Sequence, residues 1–124
     1  MKTILFIEDN LEIRENTSEI LELEGYRVIT AGNGKTGFDF AKNHKPDLIL
    51  CDILMPEMNG YEVFENLKKN IETSMIPFIF ISASVEKSEV QKGLNMGAIS
   101  YIRKPFTDSE LLETIEDCFN GKSI

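Results

Sequence analysis

Apolar residues cluster in five short runs along the chain, at residues 4–7, 27–30, 48–51, 78–81 and 99–102. Three of these runs are continuous stretches of large apolar residues, which is typical of strands buried on both faces of a parallel sheet. The segments between the runs carry their apolar residues at helical spacing. Strand and helix therefore alternate five times, and this alternation predicts a doubly wound α/β fold with a five-stranded parallel sheet.

The ends of two predicted helices carry recognisable signals. Gly25 follows the first helical stripe, where a glycine can adopt the left-handed conformation that ends a helix. Thr107 and Glu110 have the spacing of a capping box at the start of the last helix. No repeat, low-complexity tract or linker-like stretch divides the chain, so we expect one domain over residues 1–124.

Charge and cysteine content narrow the class of protein. Lys and Arg number 13 against 21 Asp and Glu, a net charge of −8 that argues against direct binding of nucleic acid by this domain. No apolar run reaches the roughly 18 residues that a membrane helix needs. Cys51 and Cys118 lack the spacing of a disulfide framework or a CxxC motif. We therefore expect reduced, buried thiols in a cytoplasmic protein that does not enter a membrane.

Polar residues follow four of the five apolar runs. They are Glu8 and Asp9 after the first run, Asp52 after the third, Ser82 after the fourth and Lys104 after the fifth. In an open α/β sheet, ligands bind beyond the carboxyl ends of the strands. Three carboxylates, a hydroxyl and an ammonium group are therefore expected to meet at one edge of the sheet.

Such a set of side chains suits the transfer of a phosphoryl group. Crowded carboxylates repel each other unless a cation compensates them, and oxygen ligands open to water favour Mg²⁺ over a caged Ca²⁺. An ionised Asp can attack phosphorus and form an acyl phosphate. The positive charge and donors that phosphoryl transfer requires would come from Mg²⁺, Lys104 and Ser82. The set predicts a phosphoryl acceptor.

Four motifs in this order and spacing resemble the receiver domain of two-component response regulators. They are the pair Glu8-Asp9, the stretch DILMPEMNG at residues 52–60, the pair Ser82-Ala83, and GAISYIRKPF at residues 97–106. The resemblance covers essentially the whole chain. It implies a flavodoxin-like (βα)5 fold and a phosphorylation-dependent switch, which catalyses only its own phosphorylation and dephosphorylation and is not otherwise an enzyme.

The resemblance also implies a role for each residue at the acceptor. Asp52 would be the phosphoacceptor, and Lys104 would bind the phosphoryl group. The ligands of Mg²⁺ would be Glu8, Asp9, Asp52 and the backbone carbonyl of Leu54. Ser82 and Tyr101 would form the switch, with the Tyr101 side chain turning inward on activation. A cis peptide bond would precede Pro105.

Partners and phosphoryl lifetime follow from the same resemblance. The donor would be a sensor histidine kinase or a phosphotransfer protein. The signal would reach a downstream effector protein or a C-terminal output domain missing from this sequence, so the chain is either a stand-alone receiver or part of a longer protein. Leu54 and Ser84 occupy the positions that flank the phosphoryl group in receivers. Neither orients a water molecule as an amide or acidic side chain does, which predicts slow self-dephosphorylation. The alternative is that Leu54 only packs against the loop and that the rate is set elsewhere.

A glycine motif supports a different class of function. Residues 32–37 read GNGKTG and match GxGxxG between a predicted strand and helix, as in dinucleotide-binding enzymes. This motif follows the second run and does not open the fold. A nucleotide site would also leave Glu8, Asp9, Ser82 and Lys104 without a role. We therefore favour the interpretation in which these glycines turn the chain and start a helix.

Overall fold

The computed structural model describes residues 1–83 and 86–121. Within them, five strands alternate with five helices, in the order β1 (Thr3–Ile7), α1 (Leu11–Leu23), β2 (Arg27–Ala31), α2 (Gly34–His44), β3 (Leu48–Asp52), α3 (Gly60–Lys69), β4 (Phe78–Ser82), α4 (Lys87–Met96), β5 (Ser100–Arg103) and α5 (Asp108–Phe119). None of the helices in this part of the chain is both long and apolar enough to cross a bilayer.

All five strands are parallel and lie in the order β2-β1-β3-β4-β5. The predicted fold class is confirmed. After β2 the chain returns past β1 to form β3 on its other side, so the direction of winding reverses between β1 and β3. A crevice forms at such a reversal, outside the carboxyl ends of the strands, and it is where ligands bind in folds of this type.

Two hydrophobic cores lie on opposite faces of the sheet. Along β3, Ile49 and Cys51 belong to the core under α2, α3 and α4, whereas Leu48 and Leu50 belong to the core under α1 and α5. This alternation follows from the two-residue period of a strand. Both faces of the central strands are covered, which explains why their sequences are continuous apolar runs.

The two cores differ in composition. Aromatic rings from α3, β4 and β5 fill much of the first core, namely Phe64, Phe78, Phe80 and Tyr101. The second core is mainly aliphatic and includes Leu50, Ile79, Leu111 and Ile115. Both cysteines are buried and free, as the sequence predicts, with Cys51 in the first core and Cys118 in the second.

The observed bounds differ from the predicted runs by one residue at the start of β1 and at the end of β2, and the other three strands also differ. β5 begins at Ser100 and not at Ile99, and it runs on to Arg103. Asp52 and Ser82 are the last residues of β3 and β4, where the sequence placed them after the strands. The reason is pairing, because Asp52 lies opposite Ile81 and Ser82 opposite Arg103, which extends the sheet by one residue on each strand.

The predicted helix ends are largely as expected. Gly25 has a positive φ of 96° after α1, and Thr107 forms a capping box with Glu110 at the start of α5. Gly97 ends α4 with a positive φ of 114°. Gly93 takes the buried position of α4.

Candidate functional site

Three carboxylates meet at the carboxyl ends of β1 and β3. One oxygen from each of Glu8, Asp9 and Asp52 lies within 4.8 Å of the other two. Glu8 and Asp52 are 1% and 5% exposed, whereas Asp9 is open to solvent. The structure therefore brings together the acidic residues that the sequence placed at this edge, with one of them facing water.

Lys104 links two of these carboxylates. Its Nζ donates to Glu8 Oε1 at 2.6 Å and to Asp52 Oδ2 at 3.1 Å. Burial by itself lowers the pKa of Lys104, but the hydrogen bonds and charges of Glu8 and Asp52 outweigh that effect and raise the pKa above its ordinary value. The ammonium group therefore stays charged and compensates part of the acidic cluster.

Asp9, the third carboxylate, is less easily ionised than an ordinary Asp. Partial burial, together with the hydrogen bond and charge of Glu8, raises the pKa of Asp9, against the opposing effects of its own backbone and of Lys104. A divalent cation would relieve this repulsion. Three carboxylates, one of them open to solvent, are the kind of oxygen donor set that Mg²⁺ takes, so the residues present fit that ion.

The backbone around Glu8 is held from several directions. The Glu8 amide donates to the Ala31 carbonyl at 3.0 Å, and the amide of Asn10 donates to Glu8 Oε2 at 3.2 Å. Arg14 Nη1 donates to the Glu8 carbonyl oxygen at 2.8 Å. Arg14 was not predicted from the sequence. The available signal was a charged residue one turn after Asn10, which caps α1 by accepting from the Ile13 amide.

Ser82 and Tyr101 lie on the strands next to Asp52. Ser82 ends β4, one residue beyond the partner of Asp52, and its side chain is buried. Tyr101 is only 9% exposed and packs in the aromatic core, so the inward position that the resemblance assigns to the active state is the one seen here. Within the described residues, the Tyr101 hydroxyl is buried without a hydrogen-bond partner.

The loop after β3 and the turn after β5 contain the remaining predicted residues. The Leu54 side chain is 68% exposed, and the role of its carbonyl as a ligand stays a prediction. Ser84 lies outside the described residues. The Lys104-Pro105 peptide bond is cis, as the resemblance implies.

Close packing accounts for two glycines of the GNGKTG stretch. A Cβ on Gly34 would lie 2.8 Å from Val63 Cγ2, and a Cβ on Gly37 would lie 2.5 Å from Ile7 Cδ1. Asn33 caps α2 by accepting from the Thr36 amide at 2.8 Å. These glycines allow α2 to approach α3 and β1, which supports the helix-start interpretation over a nucleotide site.

Sequence comparison identifies relatives over nearly the full chain. PilH of Pseudomonas aeruginosa is 35% identical over 121 residues, which cover 98% of this chain and 100% of PilH. The polar-differentiation response regulator DivK of Brucella anthropi is 36% identical, over 93% of this chain and 94% of DivK. The transcriptional regulatory protein CrdR of Helicobacter pylori is 36% identical over 99% of this chain. Other curated relatives are longer than this chain, which spans about half of their length, for example 57% of CrdR.

Solved structures give the same result for the fold. The chemotaxis protein CheY4 of Vibrio cholerae superposes with a TM-score of 0.88 at 28% identity, covering 94% of this chain and 97% of that one. A CheY-like receiver domain protein of Methanospirillum hungatei gives a TM-score of 0.89 at 32% identity, over 98% and 95%. A family model described as the response regulator receiver domain matches residues 4–116. The chain belongs to the response regulator receiver domain family of two-component systems.

Proposed function

We propose that this receiver domain is a signalling switch that accepts a phosphoryl group on Asp52 with Mg²⁺ bound. The observation that carries the proposal is the surroundings of Asp52. Its carboxylate is buried at the end of β3, pairs with the Lys104 ammonium group at 3.1 Å, and lies beside Glu8 and Asp9. A nucleophile, a fixed positive charge and a cation site are thus together.

The side chains divide the chemistry among them. An Asp52 oxygen attacks phosphorus, so that an O–P bond forms while the bond from phosphorus to the donor nitrogen breaks. Lys104 lies within hydrogen-bond distance of Asp52 and would move onto a phosphoryl oxygen, and the Ser82 hydroxyl would donate to another. Glu8, Asp9, Asp52 and the Leu54 carbonyl would hold Mg²⁺, which supplies further positive charge to the transferring group.

The switch itself involves Ser82 and Tyr101. A phosphoryl group on Asp52 attracts the Ser82 hydroxyl and biases an equilibrium in which Tyr101 takes part. The surface that changes is formed by α4, β5 and α5, and it would contact an effector protein or an output domain. The domain transforms no separate substrate. The phosphoryl donor is a sensor histidine kinase or a phosphotransfer protein, and both encounters would take place in the cytoplasm.

The direct test is chemical labelling of Asp52. In Mg²⁺ and acetyl phosphate, the wild type should gain one phosphoryl group by mass spectrometry, whereas Asp52→Asn should gain none because an amide is not a nucleophile of this kind. Asp39→Asn removes an exposed carboxylate on α2 and should label like the wild type. Equal labelling of Asp52→Asn would move the acceptor to another residue and overturn the assignment.

The metal ligands need a separate measurement. Asp9→Ala removes one ligand charge, so it should weaken Mg²⁺ binding and slow labelling at low Mg²⁺ while leaving Asp52 in place. A titration followed by amide resonances measures the binding directly. If Asp9→Ala binds Mg²⁺ as tightly as the wild type, Asp9 is not a ligand.

A further inference from the structure

Arg14 lies on α1, outside the predicted site residues, yet it contacts the backbone of the acidic pair. Its Nη1 donates to the carbonyl oxygen of Glu8 at 2.8 Å. That carbonyl belongs to the peptide group whose nitrogen is the amide of Asp9. Because a peptide group is planar, a hydrogen bond that fixes its oxygen also fixes the direction in which the chain enters Asp9.

The preceding peptide group is fixed by the sheet. The Glu8 amide donates to the Ala31 carbonyl at 3.0 Å, which continues the pairing of β1 with β2 by one residue. Glu8 is therefore held on its amide side by β2 and on its carbonyl side by Arg14. Asp9 is exposed, so its position depends largely on the backbone that leads into it, which includes the peptide group that Arg14 holds.

The first glycine of the GNGKTG stretch makes room for the guanidinium group. A Cβ on Gly32 would lie 3.0 Å from Arg14 Nη1 and 3.6 Å from Arg14 Cζ. Any side chain at position 32 would therefore press on the group that holds the Glu8 carbonyl. The close packing of α2 explains why residues 34 and 37 are glycines, and the contact with Arg14 accounts for the glycine at position 32.

We propose that Arg14 is a positioning residue for the cation site, and that Gly32 leaves room for its guanidinium group. Arg14 orients the Glu8-Asp9 peptide group so that the two carboxylates converge with Asp52. This inference rests on the proposed binding of Mg²⁺. Groups that orient metal ligands from outside the ligand set commonly contribute about 10-fold to 100-fold in metal affinity.

The direction in which Mg²⁺ affinity changes when Arg14 is replaced separates a positioning role from a purely electrostatic one. A cation near the site repels Mg²⁺, so a purely electrostatic Arg14 would weaken binding, and its removal would tighten binding. A positioning Arg14 has the opposite effect, because its removal lets the peptide group turn. Arg14→Met keeps most of the aliphatic stem and removes both the charge and the donors, so it distinguishes the two directly.

The experiment is a Mg²⁺ titration of the isotope-labelled chain, followed by amide resonances. We expect Arg14→Met to bind Mg²⁺ about 10-fold more weakly than the wild type. Arg27→Met is the matched control, because it removes an exposed arginine at the end of β2 that lies away from Ala31 and Glu8. It should bind Mg²⁺ as tightly as the wild type or slightly more tightly. Gly32→Ala keeps the charge but displaces the guanidinium group, so it should weaken binding to a smaller extent.

A second readout needs no metal. The carbonyl carbon resonance of Glu8 reports the hydrogen bond from Arg14, and it should move in Arg14→Met and Gly32→Ala but not in Arg27→Met. If Arg14→Met fails to fold, Gly32→Ala and Arg14→Lys still test the proposal. Arg14→Lys should bind Mg²⁺ less tightly than the wild type but more tightly than Arg14→Met, because it retains the charge and a donor group.

The outcomes are distinguishable from a failure of the proposed function. Mg²⁺ binding in Arg14→Met that equals or exceeds that of the wild type overturns the positioning role and leaves the proposed function intact. Weaker binding with an unchanged Glu8 carbonyl resonance also overturns it, because the effect would then arise elsewhere. A wild type that binds no Mg²⁺ contradicts the proposed function itself.

Discussion

Two helices flank β5 and are attached to the molecule in different ways. α5 buries Leu111, Ile115 and Cys118 in the aliphatic core and begins with a capping box. α4 is of similar length but buries only Gly93. A fully buried Leu or Ile contributes about 1.5–3 kcal/mol. Full apolar burial therefore fixes α5, whereas α4 packs on the aromatic core through side chains that are only partly buried, such as Val90 and Met96.

Polar contacts at its surface attach α4 to α3. The Tyr61 hydroxyl donates to Glu89 Oε2 at 2.8 Å, and Lys92 Nζ lies 4.2 Å from the centre of the Tyr61 ring. The burial of Tyr61 and its contact with Glu89 raise the pKa of the phenol, so it stays a donor at neutral pH. Contacts of these two kinds are worth about 0.5–1.5 kcal/mol each. These two contacts add only modestly to the partly buried packing of α4, so we expect α4 to be held less firmly than α5.

The neighbourhood of α4 also contains an unsatisfied polar group. The Tyr101 hydroxyl is buried without a partner among the described residues, at a cost of about 1–3 kcal/mol. A Cβ on Gly93 would lie 3.7 Å from Tyr101 Cδ2, so the ring reaches the inner side of α4. The inward position of Tyr101 is thus only moderately favoured. If the domain switches as proposed, we expect the surface of α4, β5 and α5 to change mainly through α4 and Tyr101, because α5 is held by its buried apolar side chains.

The largest expected effect is the difference between a Leu→Ala substitution on α5 and the same substitution on α4. Leu111→Ala on α5 removes a fully buried side chain and should lower the free energy of unfolding by about 3 kcal/mol. Leu94→Ala on α4 removes a half-buried one and should cost about 1 kcal/mol or less. Urea denaturation measures both values. Equal losses would show that α4 is anchored as firmly as α5.

Gly93→Ala tests how closely α4 approaches the aromatic core. The added Cβ would lie 2.8 Å from Phe80 Cδ2, so α4 or the ring must shift, at a cost of about 1–3 kcal/mol. The higher helix propensity of Ala returns up to about 1 kcal/mol. Amide resonances of α4 should move while those of α5 stay in place. Ser88→Ala, at an exposed position of α4, is the control, and a Gly93→Ala spectrum like that of Ser88→Ala would contradict the close approach.

Loss of the hydroxyl should have opposite effects on stability at the two tyrosines near α4. It should be destabilising at Tyr61 and stabilising at Tyr101. Tyr61→Phe removes the hydrogen bond to Glu89 and should speed amide hydrogen exchange in α4 by an amount equivalent to about 1 kcal/mol. Tyr101→Phe removes a buried hydroxyl that has no partner in the part of the chain that the structure describes, and it should raise the free energy of unfolding by about 1 kcal/mol. Destabilisation in both variants would mean that the Tyr101 hydroxyl has a partner in solution.

The smallest effect concerns the contact between Lys92 and the Tyr61 ring. Lys92→Met removes the cation over the ring and should destabilise α4 by about 0.5 kcal/mol, measured again by hydrogen exchange. Lys87→Met removes an exposed charge at the start of the same helix and controls for net charge. A Lys92→Met effect no larger than that of Lys87→Met would assign the attachment of α4 to Tyr61 and Glu89 alone.

The sequence predicted the fold and the acidic edge because both depend on periodic patterns. Buried parallel strands are continuous apolar runs, and their carboxyl ends must meet, which places Glu8, Asp9 and Asp52 together. The contacts of Arg14 with Glu8 and of Tyr61 with Glu89 have no such periodicity. They depend on how far one helix lies from a loop or from another helix, which packing decides. The same holds for the Tyr101 hydroxyl, because its position depends on a rotamer.

The most direct test of the account is the amide spectrum with Mg²⁺ and beryllium fluoride, which binds an aspartate as a tetrahedral mimic of a phosphoryl group. We expect large shifts for the amides of α4 (Lys87–Met96) and β5 (Ser100–Arg103), small ones around Ile115 in α5, and none in Asp52→Asn. Unchanged α4 and β5 resonances in the saturated wild type, or equal shifts in Asp52→Asn, would contradict a switch that Asp52 controls.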